Sequence, residues 1–335
     1  MPNITPGDVH VNQPLTQLMV SYYQSSPNSW IADRVFPNIP VQQQTDFYYK
    51  MGRRSFLQSN ARKRAPSTET PGTDWNFTKD TFRCDTWGLH HDIEDQLRAN
   101  ADSNFQLDAT GTELITQQML LRREMEWHSK FFKSGVWAAD LTGIASGTPT
   151  GNQFLAWNNT ASSPIETFQK LRREFHLRTG IRPNFAVFGT DAWDALLLHP
   201  EIIERVKYTQ AIPGEISPQL IANALQIRNI YVSEAVEAVN TDEELVADPV
   251  PQTEYVADTA SVLVGFAPPR ASVGIPSAGY TFSWNGYLGA SAFGGRVKRF
   301  RMESIASDRI EIEASFDFKI VAPELGTYLQ NAVAV

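Results

Sequence analysis

The chain has 335 residues, of which 42% are hydrophobic and 20% charged, and a formal net charge of −8. This is enough apolar material for a sizeable core in about two domains, and it excludes global disorder. The acidic balance argues against a dedicated nucleic-acid binder, and a single cysteine, Cys84, excludes an internal disulfide and a cysteine-based zinc site. No apolar run approaches the ~20 residues of a membrane span. The opening MPNITPGDVHVNQ lacks the charged-then-apolar order of a secretory signal, so a soluble protein made in a reducing compartment, with no membrane partner, is expected.

Residues 1–45 are punctuated by Pro2, Pro6, Pro14, Pro27, Pro37 and Pro40 and show no sustained periodicity. Leu15, Leu18, Met19, Tyr22 and Tyr23 allow a brief helix. Trp30, Ile31, Val35, Phe36 and Ile39 are too apolar for a solvated tail. This segment is either an ordered coil packed on its own domain or an arm that docks partly on another subunit.

Residues 46–89 hold two strand-prone stretches, DFYYKMGRRSF and TDWNFTKDTFRCDTWGL, with alternation at Trp75 and Phe77 and again at Phe82 and Cys84. Between them lies the polar, turn-rich NARKRAPSTETPGT. A long two-stranded hairpin with a mobile tip is expected, and because an isolated ribbon is marginal in water it needs a surface to lie on. Arg53, Arg54, Arg62, Lys63 and Arg64 would meet acidic groups there; the plainer meaning of such a charge run is a solvated basic loop.

The stretch HHDIEDQLRANADSNFQLDA reads as a short turn leading into a long helix over about 104–133. Leu107, Leu114, Leu121, Met125, His128 and Phe132 recur on one face, and Ile115, Met119, Trp127 and Phe131 widen the apolar surface. At roughly 1.5 Å per residue this is a rod of about 40 Å. It must be covered by other parts of the chain or by a neighbouring copy. Residues 141–163 are Gly/Thr/Asn-rich and predict a loop or a short hairpin over Phe154 to Trp157.

A second domain starts at Ser163, where Ser163-Pro164-Ile165-Glu166 has the form of a capping box with proline at the first helical position. Ile165, Phe168, Leu171 and Phe175 follow at helical spacing and Gly180 stops the helix. NFAVFG, NIYV and SVLVGF read as short strands; TDAWDALLLHP, EIIERVKY and the segment from Ser217-Pro218 to Leu225 read as helices. This alternation implies a small α/β sheet. An acidic loop with Asp242, Glu243, Glu244 and Asp248 interrupts it. The C-terminal part returns to β: RVKRFRMES and RIEIEASFDFKIVAP form a hairpin, with Ile310, Ile312, Ala314, Phe316, Phe318 and Ile320 on one face. That face needs an apolar cover, and the long helix is the obvious one.

Catalytic signatures are lacking: there is no phosphate-binding G-x-x-x-x-G-K-[ST], no G-x-G-x-x-G after a strand, no H-E-x-x-H and no G-x-S-x-G. His90, His91 and Asp92, with Glu94 and Asp95, form one cluster of metal-ligand types, but adjacent histidines on a strand point apart. No enzyme activity, cofactor or metal is expected.

The order of parts resembles the major capsid proteins of tailed bacteriophages, the Hong Kong phage type of fold. The resemblance rests on DIEDQLRANADSNFQLDAT, TELITQQMLLRREMEWHSKFF, RPNFAVFGTDAWDALLLHPEIIERVKY and DRIEIEASFDFKIVAPELG, and it covers nearly the whole chain. It implies an α+β fold with an N-terminal arm at 1–45 and an extended β-hairpin loop at 46–89. The spine helix and first part of a peripheral domain would be 90–162, an α/β axial domain 163–266, and the C-terminal β part of the peripheral domain 267–335. It further implies a homo-oligomer, hexamers and pentamers closing into an icosahedral head shell around double-stranded DNA, which is contacted non-specifically. Portal, scaffolding and possible decoration proteins would be partners, the virion the location, and the bacterial host cytoplasm the place of assembly. Subunit-interface residues would be Arg53, Arg54, Arg62, Lys63, Arg64, Trp75, Phe77, Asp242, Glu243 and Glu244, with the last three at the capsomer centre. Many relatives carry a long helical scaffolding segment before the arm, and none is seen here; either scaffolding is a separate protein or a leader was removed, and Met1 favours the former. An encapsulin-like nanocompartment shares the fold and is the nearest alternative; a metal-dependent hydrolase using His90, His91 and Asp92 is the alternative from another class.

Overall fold

The computed structural model of the chain describes residues 24, 28–52, 57–74, 76–101, 106–207, 218–240, 252–271, 275–288 and 295–334. Its strands are β1 (Asn38–Val41), β2 (Thr45–Met51), β3 (Phe77–Arg83), β4 (Asp85–Glu94), β5 (Asp140–Ile144), β6 (Gln153–Leu155), β7 (Phe185–Phe188), β8 (Asn229–Val232), β9 (Val236–Ala238), β10 (Thr253–Tyr255), β11 (Val262–Gly265), β12 (Gly279–Trp284), β13 (Gly295–Met302), β14 (Ser307–Ile320) and β15 (Gly326–Gln330).

The 14-residue β14 organises the first sheet. It pairs antiparallel with β13 and β4 along most of its length and with β12 near its C-terminal end; β1 then lies parallel to β12. Ile310, Ile312, Ala314, Phe316 and Phe318 are buried, as the alternation requires, against the long helix Leu107–Phe131. On the other face Arg309 meets Asp92 at 2.7 Å, Arg296 meets Glu313 at 3.3 Å and Lys298 meets Glu311 at 3.5 Å. Such surface pairs contribute about 0–1 kcal/mol each, against roughly 1.5–3 kcal/mol per buried large apolar side chain, so the apolar face decides the packing.

HHDIE is part of β4 and not a turn, because β14 supplies ten residues of ladder for it, from Asp85↔Phe316 to Glu94↔Ser307. The short helix Asp95–Asn100 follows. The long helix is shorter than expected and buries a different stripe. Gly111, Ile115, Met119, Arg123, Trp127 and Phe131 repeat every four residues along the sheet, with Glu124 and His128 beside them. Leu114 is 45% exposed, and Leu107, Leu121 and Met125 are only half-buried. Leu107, Leu114 and Leu121 share a face turned about 100° from Ile115, one residue being a 100° step on a helix, so they fall at the edge of the buried stripe.

The second sheet has the order β6-β5-β15-β11-β7-β8. Its central strands β7 and β11 are buried throughout. Phe185 and Val187 face the core that contains Trp127 and Phe131, while Ala186 and Phe188 face Phe168, Leu171 and Leu196 of the covering helices Pro164–Thr179 and Thr190–Leu197. Strands from outside 163–266 complete this sheet, since β5, β6 and β15 supply the pairing that β11 needs on its far side. Residues 141–163 therefore form no hairpin: β5 and β6 run parallel. The expected capping box also does not form. Glu166 pairs with Lys170 at 3.0 Å, and the Ile165 N–H donates to Glu201 at 3.2 Å. Gly180, at φ 75°, does end the helix in the left-handed region that glycine permits.

Of the N-terminal segment, residues 28–41 pack on their own chain. Ile31, Ala32, Val35 and Phe36 are buried in the main core, and Tyr231 donates to the Arg34 carbonyl at 3.0 Å. Residues 1–23, with the brief helix expected there, lie outside the described residues.

The stripe assignment is testable by urea denaturation of two variants. Trp127→Ala is expected to cost about 3–5 kcal/mol, as a large buried ring removed from a dense core. Leu114→Ala is expected to cost about 0.5 kcal/mol or less.

Candidate functional site

The feature that stands apart from the body is the ribbon of β2 and β3, registered from Thr45↔Arg83 to Met51↔Phe77. Strand alternation gives it two unlike faces. One carries Tyr48, Lys50, Asp80 and Phe82, the other Phe47, Tyr49, Phe77, Lys79 and Thr81.

The first face is anchored to the chain's own body. Phe82 stacks on Phe282 of β12 at 4.4 Å with only 9° between the rings, and Tyr48 lies 5.7 Å from the same ring. Asp80 accepts from Tyr48 at 3.0 Å and from Lys50 at 2.7 Å, and Lys319 of β14 approaches it to 3.5 Å. Burial alone would raise the Asp80 pKa, but the hydrogen bonds from Lys50, the Thr81 N–H and Tyr48 outweigh it and hold the carboxyl well below its usual range. Burial, followed by Asp80, pushes the Tyr48 phenol far above its own. Cys84, at the root of the ribbon, is buried and its thiol is pushed up to about 12 by that burial, so it is an inert apolar side chain.

The second face is apolar and open to solvent. Phe47 is 50% exposed, Tyr49 58% and Phe77 46%. They touch in series, with centroids 5.7 Å and 6.2 Å apart, and the Lys79 ammonium sits 5.0 Å above Phe47 and 5.5 Å above Tyr49. A contiguous aromatic strip facing water, rimmed by a cation, is a surface of the kind that protein contacts use. Phe77 was expected at such a surface; Phe47, Tyr49 and Lys79 were not singled out, although the alternation in DFYYKM and FTKDTF places them beside it.

At the tip, Arg62, Lys63 and Arg64 are exposed, and Arg64 donates to the Thr68 carbonyl at 2.5 Å across a turn. Arg53, Arg54, Trp75, Asp242, Glu243 and Glu244 lie outside the described residues. Leu57, at the start of the tip, lies 3.3 Å from where a Cβ on Gly180 would stand, so the loop passes close to the end of helix Pro164–Thr179.

The histidine cluster has no metal-binding geometry. On β4, His90 and Asp92 share the outer face and His91 the inner one, where it packs against Gly111 of the long helix. The Asp92 carboxylate is engaged by Arg309 through two bonds of 2.7 Å. Among the described residues no three His, Cys, Asp or Glu side chains gather to hold a metal. Ser162 and His199, unremarked in the sequence, lie 3.0 Å apart. His199 Nδ1 accepts the Glu201 N–H at 3.2 Å, so its proton is on Nε2, which donates to the Ser162 hydroxyl and cannot act as a base toward it.

Residues 152–257 match the family described as phage major capsid protein E. A major capsid protein of Pseudomonas phage JBD67 is 23% identical over 332 residues, 97% of each chain. A major capsid protein of Burkholderia phage BcepMu is 25% identical over 241 residues, 69% of this chain and 71% of that one. Among solved structures, a phage-related protein from Bordetella bronchiseptica RB50 superposes with TM-score 0.67 at 20% identity, covering 93% of this chain and 94% of that one. The capsid of cyanophage P-SCSP1u superposes with TM-score 0.57 at 10% identity, covering 98% of both. The SrpI encapsulin of Synechococcus elongatus PCC 7942 also gives 0.57, at 12% identity, covering 94% and 91%.

The two faces of the ribbon are separable by substitution. In the isolated chain Phe82→Ala is expected to cost about 3 kcal/mol or more by chemical denaturation, and Tyr49→Ala about 0.5 kcal/mol or less.

Proposed function

We infer that the chain, which has the tailed-phage capsid fold, is a phage major capsid protein whose ribbon lies on a neighbouring copy of itself. The observation that carries this is the Phe47–Tyr49–Phe77 strip, three rings in contact on a ribbon whose opposite face is already used by its own body. Covering such rings removes roughly half of 150–250 Å² each from water, a substantial part of the ~800 Å² per partner of a standard interface. One surface patch meets a different one on the neighbour, so the contact is heterologous, and closing it by rotation generates rings. Hexamers and pentamers of this kind close an icosahedral head shell around double-stranded DNA, contacted non-specifically. A net charge of −8 is compatible with enclosing DNA rather than gripping it.

The basic tip, Arg53, Arg54, Arg62, Lys63 and Arg64, meets acidic groups on the neighbour, and Asp242, Glu243 and Glu244 lie at the capsomer centre. In domain terms the arm is 1–45, the extended loop 46–89 with its end already in β4, the spine region 90–162, the axial domain 163–266 completed by β5, β6 and β15, and the peripheral C-terminal part the rest of 267–335. The shell works with a portal, a scaffold and possible decoration proteins, is built in the host cytoplasm, and ends in the virion. The protein is a structural subunit and not an enzyme. A compartment shell of the encapsulin type is the second reading, supported by the likeness to the SrpI encapsulin; it calls for a bound cargo enzyme, and purified particles carrying a stoichiometric second protein would favour it.

Phe47→Ser, Tyr49→Ser and Phe77→Ser combined are expected to leave the circular dichroism spectrum and melting midpoint of the soluble chain unchanged. Closed particles should then be absent by sedimentation and negative-stain electron microscopy. Normal shells from this variant would overturn the role of the strip. Arg62→Ala, Lys63→Ala and Arg64→Ala combined are expected to yield particles that come apart at lower salt than wild type.

A further inference from the structure

Two adjacent charged residues in the middle of the long helix, Arg123 and Glu124, are each 1% exposed. Arg123 is accounted for: its guanidinium lies 4.7 Å from the Phe316 ring and 5.4 Å from Phe318, and it pairs with Asp33 on the short arm helix Ala32–Val35. Glu124 is different. One carboxyl oxygen accepts the Ala32 N–H at 2.7 Å, and the other, Oε2, is buried with no hydrogen-bond partner among the described residues.

The groups around it do not supply a free counter-charge. On its own helix, Arg123 is engaged with Asp33, and His128 lies with Nδ1 3.7 Å from Oε2. That nitrogen is 2.8 Å from the Glu124 backbone carbonyl, which can only accept, so Nδ1 carries the proton. Nε2 accepts from the Ser233 hydroxyl at 2.8 Å, and the ring is neutral. From the arm come Asp33, a second negative charge, and Arg34, whose guanidinium lies 5.4 Å from the Tyr231 ring. From β8 and the loop after it come Tyr231, which donates to the Arg34 carbonyl, and Glu234, which accepts from Asn28 at 2.9 Å. From the sheet below, the Phe316 and Phe318 rings lie under Arg123. A carboxylate here would be a buried charge with one unsolvated oxygen, whereas the neutral acid avoids burying that charge.

We propose that Glu124 is a proton-binding site that latches the arm to the long helix: its neutral carboxyl accepts the Ala32 N–H and holds residues 31–36 in the core, and loss of the proton releases them. Burial, with Asp33 adding to it, pushes the Glu124 carboxyl up to about 8 against the pull of the Ala32 and Ile31 N–H groups and Arg123. Burial brings His128 down to about 4. An acid whose pKa is raised in the bound state favours that state at low pH, and the contribution is lost as pH rises through about 8. His128 acts from the other side, losing stability only as pH falls below its ordinary value. Between pH 7 and 9.5 it is neutral whether the arm is bound or free, so Glu124 is the member of this cluster that changes charge. The latch concerns the single chain and does not depend on shell assembly.

Hydrogen exchange of the full-length chain, read by mass spectrometry at pH 7 and 9.5 and corrected for intrinsic rates, tests this. Protection of residues 31–36 is expected to fall about tenfold in the wild type, the factor by which a carboxyl of pKa about 8 changes its bound-state weight over that range. In Glu124→Gln, which keeps an acceptor for the Ala32 N–H but cannot ionise, protection should not fall. Helix Pro164–Thr179 should be unaffected in both. Unchanged wild-type protection, or an equal fall in Glu124→Gln, would overturn the latch. Should that variant not fold, the wild type decides alone: a fall confined to residues 31–36 and the facing turn at 123–128 supports the proposal, and no fall, or an equal fall along the whole chain, defeats it.

Discussion

The aromatic junction of Phe36, Trp127 and Phe131 holds the rest of the structure together. Phe36, from the arm, lies 4.5 Å from Phe131 and 6.1 Å from Trp127 of the long helix, and 5.5 Å from Phe185 of the second sheet. Phe131 in turn reaches Phe318 of the first sheet at 5.9 Å and Trp137 at 6.3 Å. Four parts of the chain distant in sequence meet at one packed cluster, joined by Trp137 just beyond the helix. Because such interiors are close-packed, no part can shift without opening a void at this point. The two sheets are therefore oriented by shared side chains and not by a linker.

Against that rigid junction the ribbon is conspicuous for being half-used. Its Tyr48–Asp80–Phe82 face is fastened to β12 and β14 by ring stacking and by a carboxylate that gathers three donors. Its Phe47–Tyr49–Phe77 face keeps its apolar area in water. A strip of this composition costs free energy in the lone chain and recovers it on contact, the energetic logic expected of a subunit made to assemble. The arm shows the opposite arrangement at residues 31–36, where Ile31, Ala32, Val35 and Phe36 are absorbed into the main core and the Ala32 N–H bonds the buried Glu124.

The patterns that were legible in the sequence are those with a short, strict period. Alternation in RIEIEASFDFKI located β14 and its buried face, and the aromatic alternation around 46–83 located the ribbon. Four-residue strands such as FAVF and VLVG were readable because they are wholly apolar between turns. Which stripe of the long helix is buried is not readable from periodicity, because the helix is apolar on two sides and the pattern does not choose between leucines at seven-residue spacing and Ile115, Met119, Trp127 and Phe131. HHDIE reads as a turn because His90, Asp92 and Glu94 face the Arg309 side of a ladder whose other strand is more than 200 residues away.

By itself the sequence determined the ribbon, the long helix, the alternation of short strands and helices over 163–266 and the β13–β14 hairpin, since hydrophobic period, turn residues and helix stops act over a few residues; β1, the second half of β4, β5, β12 and β15 left no such local signal. It also exposed the kinship of the whole chain, because that order of parts is unusual. Only the tertiary structure decided which helical face is inside, how β5, β6 and β15 join β7, β8 and β11, and why Arg123 and Glu124 can be buried. Each of these depends on what lies across from a residue in space, and a strand partner, a ring beneath a guanidinium or an N–H above a carboxyl leaves no mark in the local pattern of the chain.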